Sequence, residues 1–563
     1  MSGWEVLMRS RKRWTLLGAA AVVAALALVA AGCGSSKKSS SGSTQSTSGK
    51  TFSTLHVVWG DTDYMDPGLS YRLESWQLFQ NIYEGLVSQK HAGGAASADV
   101  VPTLASAMPV VSAGGKNYKF TLRKGLMYSN GKPLKASDFP ATIVRDFKMN
   151  SPGIGFYSNI EGVDACEKNP TSCKSISGIV TDDAAGTVEV KLKEPQSDFL
   201  YVMSLPFSAP VPAGTPAKPL TNPPPAANGP YYMVSYQPHK SFLIKRNPHY
   251  KKDSIPTVPQ GNPDVVVGTI TDDLAASAQK VISGSADYDE NLLPTDRLTQ
   301  IQKKYGDHVK FFTTPSTYYF FMNQRTPPFD KLQARQAVNY AIDRDQLVKI
   351  RGGLGRTTEN FLPPTYPQYK KITHYTHDVN KAKQLVQQSG TKGMKVTVYT
   401  IGDTEIDKAT GEYLQGVLKS IGWNAGIREL AGGTYFTIVG NQATKAQIGF
   451  TDWFQDYPYP TDWFGVLEDG TKITQIHNNN NSNVNIPAVN KEIARLSHLP
   501  PDQANAKSTN DAWAKLDSDL MVKYSSEVPY LNGLLTDFFS SRMDPSCDVN
   551  TNFYSDFSQY CLK

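Results

Sequence analysis

The 563-residue chain is short of several things, and each shortage narrows what it can be. No apolar stretch reaches the roughly 20 residues that a membrane-spanning helix needs. The longest run, Leu16 to Ala31, stops at 16. Charge of one sign is also lacking: the formal net charge is +6, and four basic residues against Glu5 lie before Cys33, so the remainder is near +3. With no basic run or aromatic-interleaved stripe, nucleic acid is set aside as a partner. Catalytic signatures are missing too. There is no Gly-x-Ser-x-Gly, no His-Glu-x-x-His and no phosphate-binding Gly-x-x-x-x-Gly-Lys, so a hydrolase has little support and the chain reads as a non-enzyme. His374 and His377 form a lone His-x-x-His in a polar loop, a weak basis for a metal, and no cofactor is implied. Cysteines number five and include no Cys-x-x-Cys, with no histidine near any of the paired candidates below; zinc is a poor reading.

What is present begins with a basic stretch, Arg9, Arg11, Lys12 and Arg13, followed by the apolar run and then Gly32-Cys33. That order has the form of a secretory leader over 1–32. Ala30-Ala31-Gly32-Cys33 resembles a bacterial lipobox, with Ala30 where Leu is usual, so Cys33 is the expected lipidation site. Residues 33–50 are mostly Ser, Thr and Gly. Such a segment cannot offset its ordering entropy by apolar burial, and it is expected to be a flexible tether. The expected location is the outer face of the cell membrane, held by lipid alone. Export into an oxidising compartment favours disulfides. Cys166, Cys173, Cys547 and Cys561 remain after Cys33; of three possible connectivities, the two local pairs Cys166–Cys173 and Cys547–Cys561 are the simplest.

Some 510 residues follow the tether, too many for one core, so two or three domains are expected. Strands are read at Leu55–Trp59 and around Tyr118–Arg123, where apolar and polar residues alternate. Lys395–Thr400 and Trp423–Leu430 read as strands around a helix, Glu412–Ile421, which Gly422 is placed to end. A strand-helix-strand unit of this length implies parallel pairing in an α/β lobe. Asp330 with Gln333, and Asp343 with Gln346, have the spacing of helix caps. The proline-rich stretches Pro206–Pro225 and Pro363–Pro367 are candidate crossovers, and Asn478–Asn481 is expected to be solvated loop.

Several segments, in order over about 400 residues, together resemble the family 5 solute-binding proteins of ABC importers, the oligopeptide/dipeptide-binding lipoproteins. These are Val101–Met108, Tyr118–Gly125, Asn130–Phe139, Asn228-Gly-Pro-Tyr231 with Arg246-Asn-Pro-His-Tyr250, Pro328-Phe-Asp330 through Arg335–Arg344, and Trp453-Phe-Gln-Asp456-Tyr-Pro458. Asn130, Lys135, Asn228, Phe454, Gln455 and Tyr459 depart from the usual pattern. The resemblance implies an α/β, two-lobed periplasmic-binding-protein-like fold (type II, cluster C) with an extra domain on one lobe. Matching motifs place lobe I at about 51–83, 214–314 and 535–563, the extra domain at 84–213 and lobe II at 315–534. It further implies a monomeric receptor that binds a peptide by lobe closure and delivers it to permease subunits with their ATPases. An oligosaccharide receptor of the same family is the alternative, with nickel or haem behind it.

By the same resemblance Asp456 receives the ligand's α-ammonium; the rival reading is a turn cap beside Pro458. An ammonium buried by closure must be paired, or its desolvation costs several kcal/mol. Trp453, Phe454, Gln455 and Tyr457 are expected around it, Trp453, Phe454 and Tyr457 as ring walls; Tyr459, Trp463 and Phe464 are cleft wall or core. Tyr318, Tyr319 and Asn323 are expected at the start of lobe II, where an extended peptide could add as a strand.

Overall fold

The computed structural model describes residues 52–563 apart from 252, 552 and 553. The expectations for residues 1–32, Cys33 and the tether lie outside the described residues. Among those described, no helix is long and apolar enough to cross a membrane.

Strand β1 (Phe52–Trp59) opens the described chain, and Leu55, Val57, Val58 and Trp59 on it are buried. Helix α1 (Leu73–Phe79) follows. A separate four-stranded antiparallel sheet comes next, from β2 (Val110–Ser112), β3 (Asn117–Thr121), β4 (Ile179–Asp182) and β5 (Thr187–Lys191) in the order β2-β3-β5-β4. The alternation seen in the sequence is real: Tyr118 and Phe120 are buried while Lys119 and Thr121 are exposed. Helix α2 (Asp138–Lys148) lies between β3 and β4 in the chain, and Cys166 and Cys173 are bonded in the same segment, Cα atoms 4.7 Å apart.

The chain then returns beside β1. Strands β6 (Tyr231–Gln237), β7 (Ser241–Arg246) and β8 (Pro263–Ile270) make an antiparallel run whose last member pairs parallel with β1. Short β9 (Tyr288–Asp289) and then β10 (Val309–Thr313) complete this side. Beyond Thr314-Pro315 the partners change. Strand β11 (Ser316–Met322), helices α3 (Leu332–Ala341) and α4 (Arg344–Ile350), β12 (Gly355–Thr357), β13 (Lys395–Ile401), α5 (Glu405–Ser420), β14 (Asn424–Leu430) and β15 (Ile448–Phe454) build the second side.

One long strand, β16 (Glu527–Phe539), joins the two. Its first part, Glu527–Gly533, pairs with β11 and β12; its last part, Leu534–Phe539, pairs with β10 and β9. The continuous order is β14-β13-β15-β11-β16-β9-β1-β8-β7-β6. The chain therefore passes between the sides at Thr314–Ser316 and along β16. At that crossing a Cβ on Gly533 would lie 2.8 Å from Thr314 Oγ1 and 3.0 Å from Ser316 Oγ, so a larger residue there would push the two connections apart. The proline-rich stretches are not crossovers. Pro206–Pro225 leads from the four-stranded unit back to β6, and Pro363–Pro367 lies between β12 and β13 on one side.

The β13-α5-β14 unit pairs parallel, Lys395↔Asn424 to Ile401↔Leu430. Leu414 and Leu418 of α5 are fully buried, each contributing about 1.5–3 kcal/mol relative to exposure. The helix begins earlier than its apolar stripe suggests, because Thr404 Oγ1 accepts from the Asp407 amide at 3.1 Å, satisfying a donor that the first turn leaves open. Gly422 ends it with φ +110°. Asp343 caps α4, accepting from the amides of Asp345 (3.0 Å) and Gln346 (3.3 Å). Asp330 does not cap α3, which starts after Lys331 without a side-chain cap. Arg335 and Arg344 act instead as clamps, donating to the carbonyls of Phe329 and Ser525, and of Thr358 and Pro529. At the C-terminus Cys547 and Cys561 are bonded, Cα atoms 5.8 Å apart. Asp544 lies beside them, but both sulfurs are committed to each other and offer no thiolate to a metal.

Candidate functional site

Strand β15 stops pairing at Phe454, opposite Ser316. The next amide, Gln455, donates to the Pro315 carbonyl at 3.1 Å, so the segment that leaves the sheet is tied directly to a crossover. Two cavities meet there. The smaller, about 290 Å3, is lined by Tyr71, Trp76, Trp453, Phe454, Gln455, Asp456 and Tyr554 among others. The larger, about 660 Å3, is lined by Phe156, Asp198, Tyr457, His477 and His498. Tyr71, Trp453, Asp456 and Asn479 border both. The site thus draws on the β1 side, the segment carrying the four-stranded sheet and the β15 side.

Asp456 sits at the junction, 9% exposed. Its Oδ2 accepts from the Tyr71 hydroxyl at 2.5 Å, a bond reaching across 385 positions of sequence. Burial pushes its carboxyl up to about 7, with the Tyr71 hydrogen bond pulling the other way; among the described residues no cationic side chain offsets the burial. Desolvation without a counter-charge favours the neutral acid. The turn that Asp456 was alternatively read as capping is organised by another carboxylate. Asp462 Oδ2 accepts from the Asp456 amide (3.0 Å) and from Trp453 Nε1 (3.3 Å). Asp462 is itself fully buried, and burial together with repulsion from Asp456 holds its carboxyl well above the usual range.

The other expected residues divide. Trp453, Phe454, Gln455 and Tyr457 line the cavities; Tyr457 also donates to Asp198 Oδ2 at 2.8 Å. Tyr459, Trp463 and Phe464 are core: all three are fully buried, Phe464 stacks on Trp513 with centroids 5.6 Å apart, and Trp463 Nε1 donates to the Tyr366 hydroxyl at 2.7 Å. Tyr318, Tyr319 and Asn323 line neither cavity. Both edges of β11 are taken, by β15 and by β16, so the expected strand addition at Tyr318–Asn323 has no free edge. The guanidinium of Arg351 covers the Tyr318 ring at 4.1 Å, Phe361 meets Tyr319 edge-on, and Asn323 Nδ2 donates to the Ala446 carbonyl at 2.8 Å.

The sequence reading missed Tyr71, Tyr554 and Asn479. Nothing local marks Tyr71, whose partner is supplied by the fold. Asn478–Asn481 did carry a signal but was misread: Asn478, Asn480 and Asn481 are buried, only Asn479 is exposed, and the loop is held by its own amides. Asn480, for example, donates through Nδ2 to the Val484 carbonyl and accepts the Val484 amide through Oδ1, both at 2.9 Å.

The family described as bacterial extracellular solute-binding proteins, family 5 (middle region), matches residues 99–475. The chain belongs to that family. As a family 5 protein it is 27% identical over 405 residues to heme-binding protein A of Haemophilus influenzae, covering 66% of this chain and 69% of that one. It is 23% identical over 380 residues to the periplasmic oligopeptide-binding protein OppA of Escherichia coli, covering 64% and 68%. In structure it resembles clavulanic acid biosynthesis oligopeptide binding protein 2, with a TM-score of 0.82, 23% identity and coverage of 91% and 96%. The fold is the two-lobed type II binding-protein fold, and the family consists of extracellular solute-binding proteins.

Proposed function

We propose that this family 5 protein is the extracytoplasmic receptor of an ABC importer, that it binds peptides by closure of its lobes, and that it hands them to permease subunits driven by ATPases. One observation carries the peptide reading: Asp456 is a buried carboxylate at the meeting point of two cavities, its hydrogen-bond partner the neutral Tyr71 hydroxyl. An α-ammonium placed there supplies the counter-charge that burial withholds, and a charge pair completed on closure favours the closed state. The name of the oligopeptide-binding relative points the same way. The oligosaccharide alternative needs exposed ring platforms, and three of the rings that might have formed one, Tyr459, Trp463 and Phe464, are packed in the core.

The change of strand partners at Thr314–Ser316 and Gly533–Leu534 supports lobe I as 51–83, 214–314 and 535–563, an extra domain as 84–213 and lobe II as 315–534. Anchoring through lipid on Cys33 and a monomeric state complete the proposal; Cys33→Ala should move the protein from membranes into the medium, and a mutant that is processed yet stays membrane-bound would contradict the anchor.

The functional test is a thermal-shift and calorimetric screen of free and N-acetylated tripeptides, cello- and chito-oligosaccharides, haem and nickel. A free tripeptide at a hundred times its Kd should stabilise the protein by about 2.7 kcal/mol, with the acetylated form much weaker. Stabilisation by haem or a sugar alone, with every peptide silent, would overturn the reading.

A further inference from the structure

The two cavities that meet at Asp456 differ in character. The larger carries Asn159, Gln196, Lys472, His477 and His498, polar groups suited to a peptide's amides. The smaller has an aromatic wall made by Tyr71, Trp76, Phe436, Trp453, Phe454 and Tyr554. These rings can be reached: Tyr71 is 42% and Phe436 46% exposed, while Trp453, Phe454 and Tyr554 are half-buried. Tyr71, Trp453 and Asp456 border both cavities, so the way from one to the other runs past the carboxylate. Exposed apolar rings gathered in one concavity mark a binding surface. They are also fixed from behind. Tyr71 donates its hydroxyl to Asp456 and rests against Trp76 and Phe207, centroids 5.4 and 5.7 Å away. Trp453 Nε1 donates to Asp462 at 3.3 Å, and Phe454 meets Tyr318 edge-on at 5.9 Å. Walls already ordered lose little freedom when a ligand arrives.

We propose that the smaller cavity receives the side chain of the ligand residue that bears the α-ammonium and selects an aromatic one, so that peptides beginning with Phe or Trp are preferred. The inference rests on the peptide reading above and deepens it. With the ammonium at Asp456, the Cα beside it faces both cavities, and the main chain with its amides fits the larger. Size agrees: an apolar cavity of about 150 Å3 holds a benzene molecule, so about 290 Å3 accommodates a phenyl or indole ring. Charge gives no competing preference. Of the other charged groups in the lining, Arg72 pairs with Glu74 at 3.3 Å and Asp452 feels the Arg351 guanidinium. Ring against ring adds a quadrupolar attraction that aliphatic side chains lack.

The test is calorimetry of Ala-Ala-Ala, Phe-Ala-Ala, Ala-Phe-Ala, Ala-Ala-Phe and cyclohexylalanyl-Ala-Ala on the wild type and on Phe436→Ala. Phe-Ala-Ala should bind the wild type roughly tenfold or more tighter than Ala-Ala-Ala, the scale that burying one phenyl ring supplies, and tighter than both positional isomers. The cyclohexyl congener, similar in bulk but without π faces, should fall between Phe-Ala-Ala and Ala-Ala-Ala. Phe436→Ala should shrink the ratio of Phe-Ala-Ala to Ala-Ala-Ala affinity several-fold. With Phe436 half in solvent, that variant should melt close to the wild type, so a reduced ratio reports the cavity and not unfolding. The positional series on the wild type needs no variant and decides independently. Peptides that bind with no advantage for Phe at the first position, a cyclohexyl congener that binds as well as Phe-Ala-Ala, or a ratio unchanged in Phe436→Ala would each overturn the subsite while leaving the peptide reading intact. If no peptide binds at all, both fall together.

Discussion

Strands β11 and β15 lie side by side, paired from Ser316↔Phe454 to Met322↔Ile448, yet one is scaffold and the other delivers the site. Every residue of β11 is buried, and both its edges are occupied. Along β15 the first four residues are buried in the same way, but Asp452, Trp453 and Phe454 are half-exposed, and Asp456 follows where the chain leaves the sheet. Aromatic residues are abundant in both. The difference lies in the backbone. Strand β11 has partners on both edges, whereas β13 reaches β15 only at Ile448 and Gly449. Toward Phe454 the strand has β11 alone beside it, and its side chains are released to a cleft while that one ladder holds them in place.

The largest effect that should separate the strands is on stability. Phe320→Ala empties a fully buried site stacked on Tyr530, with centroids 4.7 Å apart, and should cost about 3–5 kcal/mol in denaturant unfolding. The molecules still folded should bind ligand with unchanged affinity. A large affinity loss in that folded fraction would erase the distinction between scaffold and site.

The pH response should split the two roles more sharply. Asp456 must be charged to receive an ammonium, and its carboxyl lies at about 7 in the empty protein. Affinity should therefore be flat above that pH and fall below it, by up to about tenfold per unit, with proton release on binding. Stability should run the other way. Glu84 and Asp289 are raised to about 7 and Asp517 to about 6, burial being the largest cause in each. A carboxyl raised on folding contributes stability that is present below its unfolded value near 4 and is lost as pH rises through the folded value. The melting temperature should thus decline from pH 5 to pH 8 while peptide affinity rises to its plateau. Affinity and melting temperature rising together would show that one group governs both.

Smaller effects belong to single hydroxyls. Tyr71→Phe removes the bond that lowers the Asp456 carboxyl, so the acid limb of the binding curve should move upward by less than about one pH unit, near 1 kcal/mol. Tyr319→Phe, on the paired strand, should leave the curve unmoved. A downward shift for Tyr71→Phe would contradict the geometry.

Local pattern made the β13-α5-β14 unit and the strands at Leu55–Trp59 and Tyr118–Arg123 legible, since period and turn residues reside within a few positions of one another. The start of α5 was hidden because Thr404 carries the cap while the visible stripe begins at Leu414. The prolines drew attention as candidate crossovers because Thr314–Ser316 and β16 are ordinary strand sequence. The boundaries at 314/315 and 534/535 came only through motif resemblance, and it is the strand partners that show where the chain changes sides. Asp456 and its neighbours entered through motif resemblance. Tyr71 and the buried asparagines did not, because their status depends on contacts that close only in the folded chain. The strand addition expected at Tyr318–Asn323 failed for the same reason: nothing in the residues of β11 says that β15 and β16 fill both its edges.

The central claim is that Asp456 pairs with a ligand's α-ammonium, and a four-way calorimetric cycle tests it most directly: wild type and Asp456→Ala, each with one tripeptide in free and N-acetylated form. Removing one partner of a buried charge pair costs about 2–5 kcal/mol, so the free peptide should lose between roughly thirty-fold and several thousand-fold in affinity on mutation. The acetylated peptide, already weak on the wild type, should lose far less, and the difference isolates the pair. Equal losses for the two peptides would contradict the account and leave Asp456 a structural carboxylate beside the cleft.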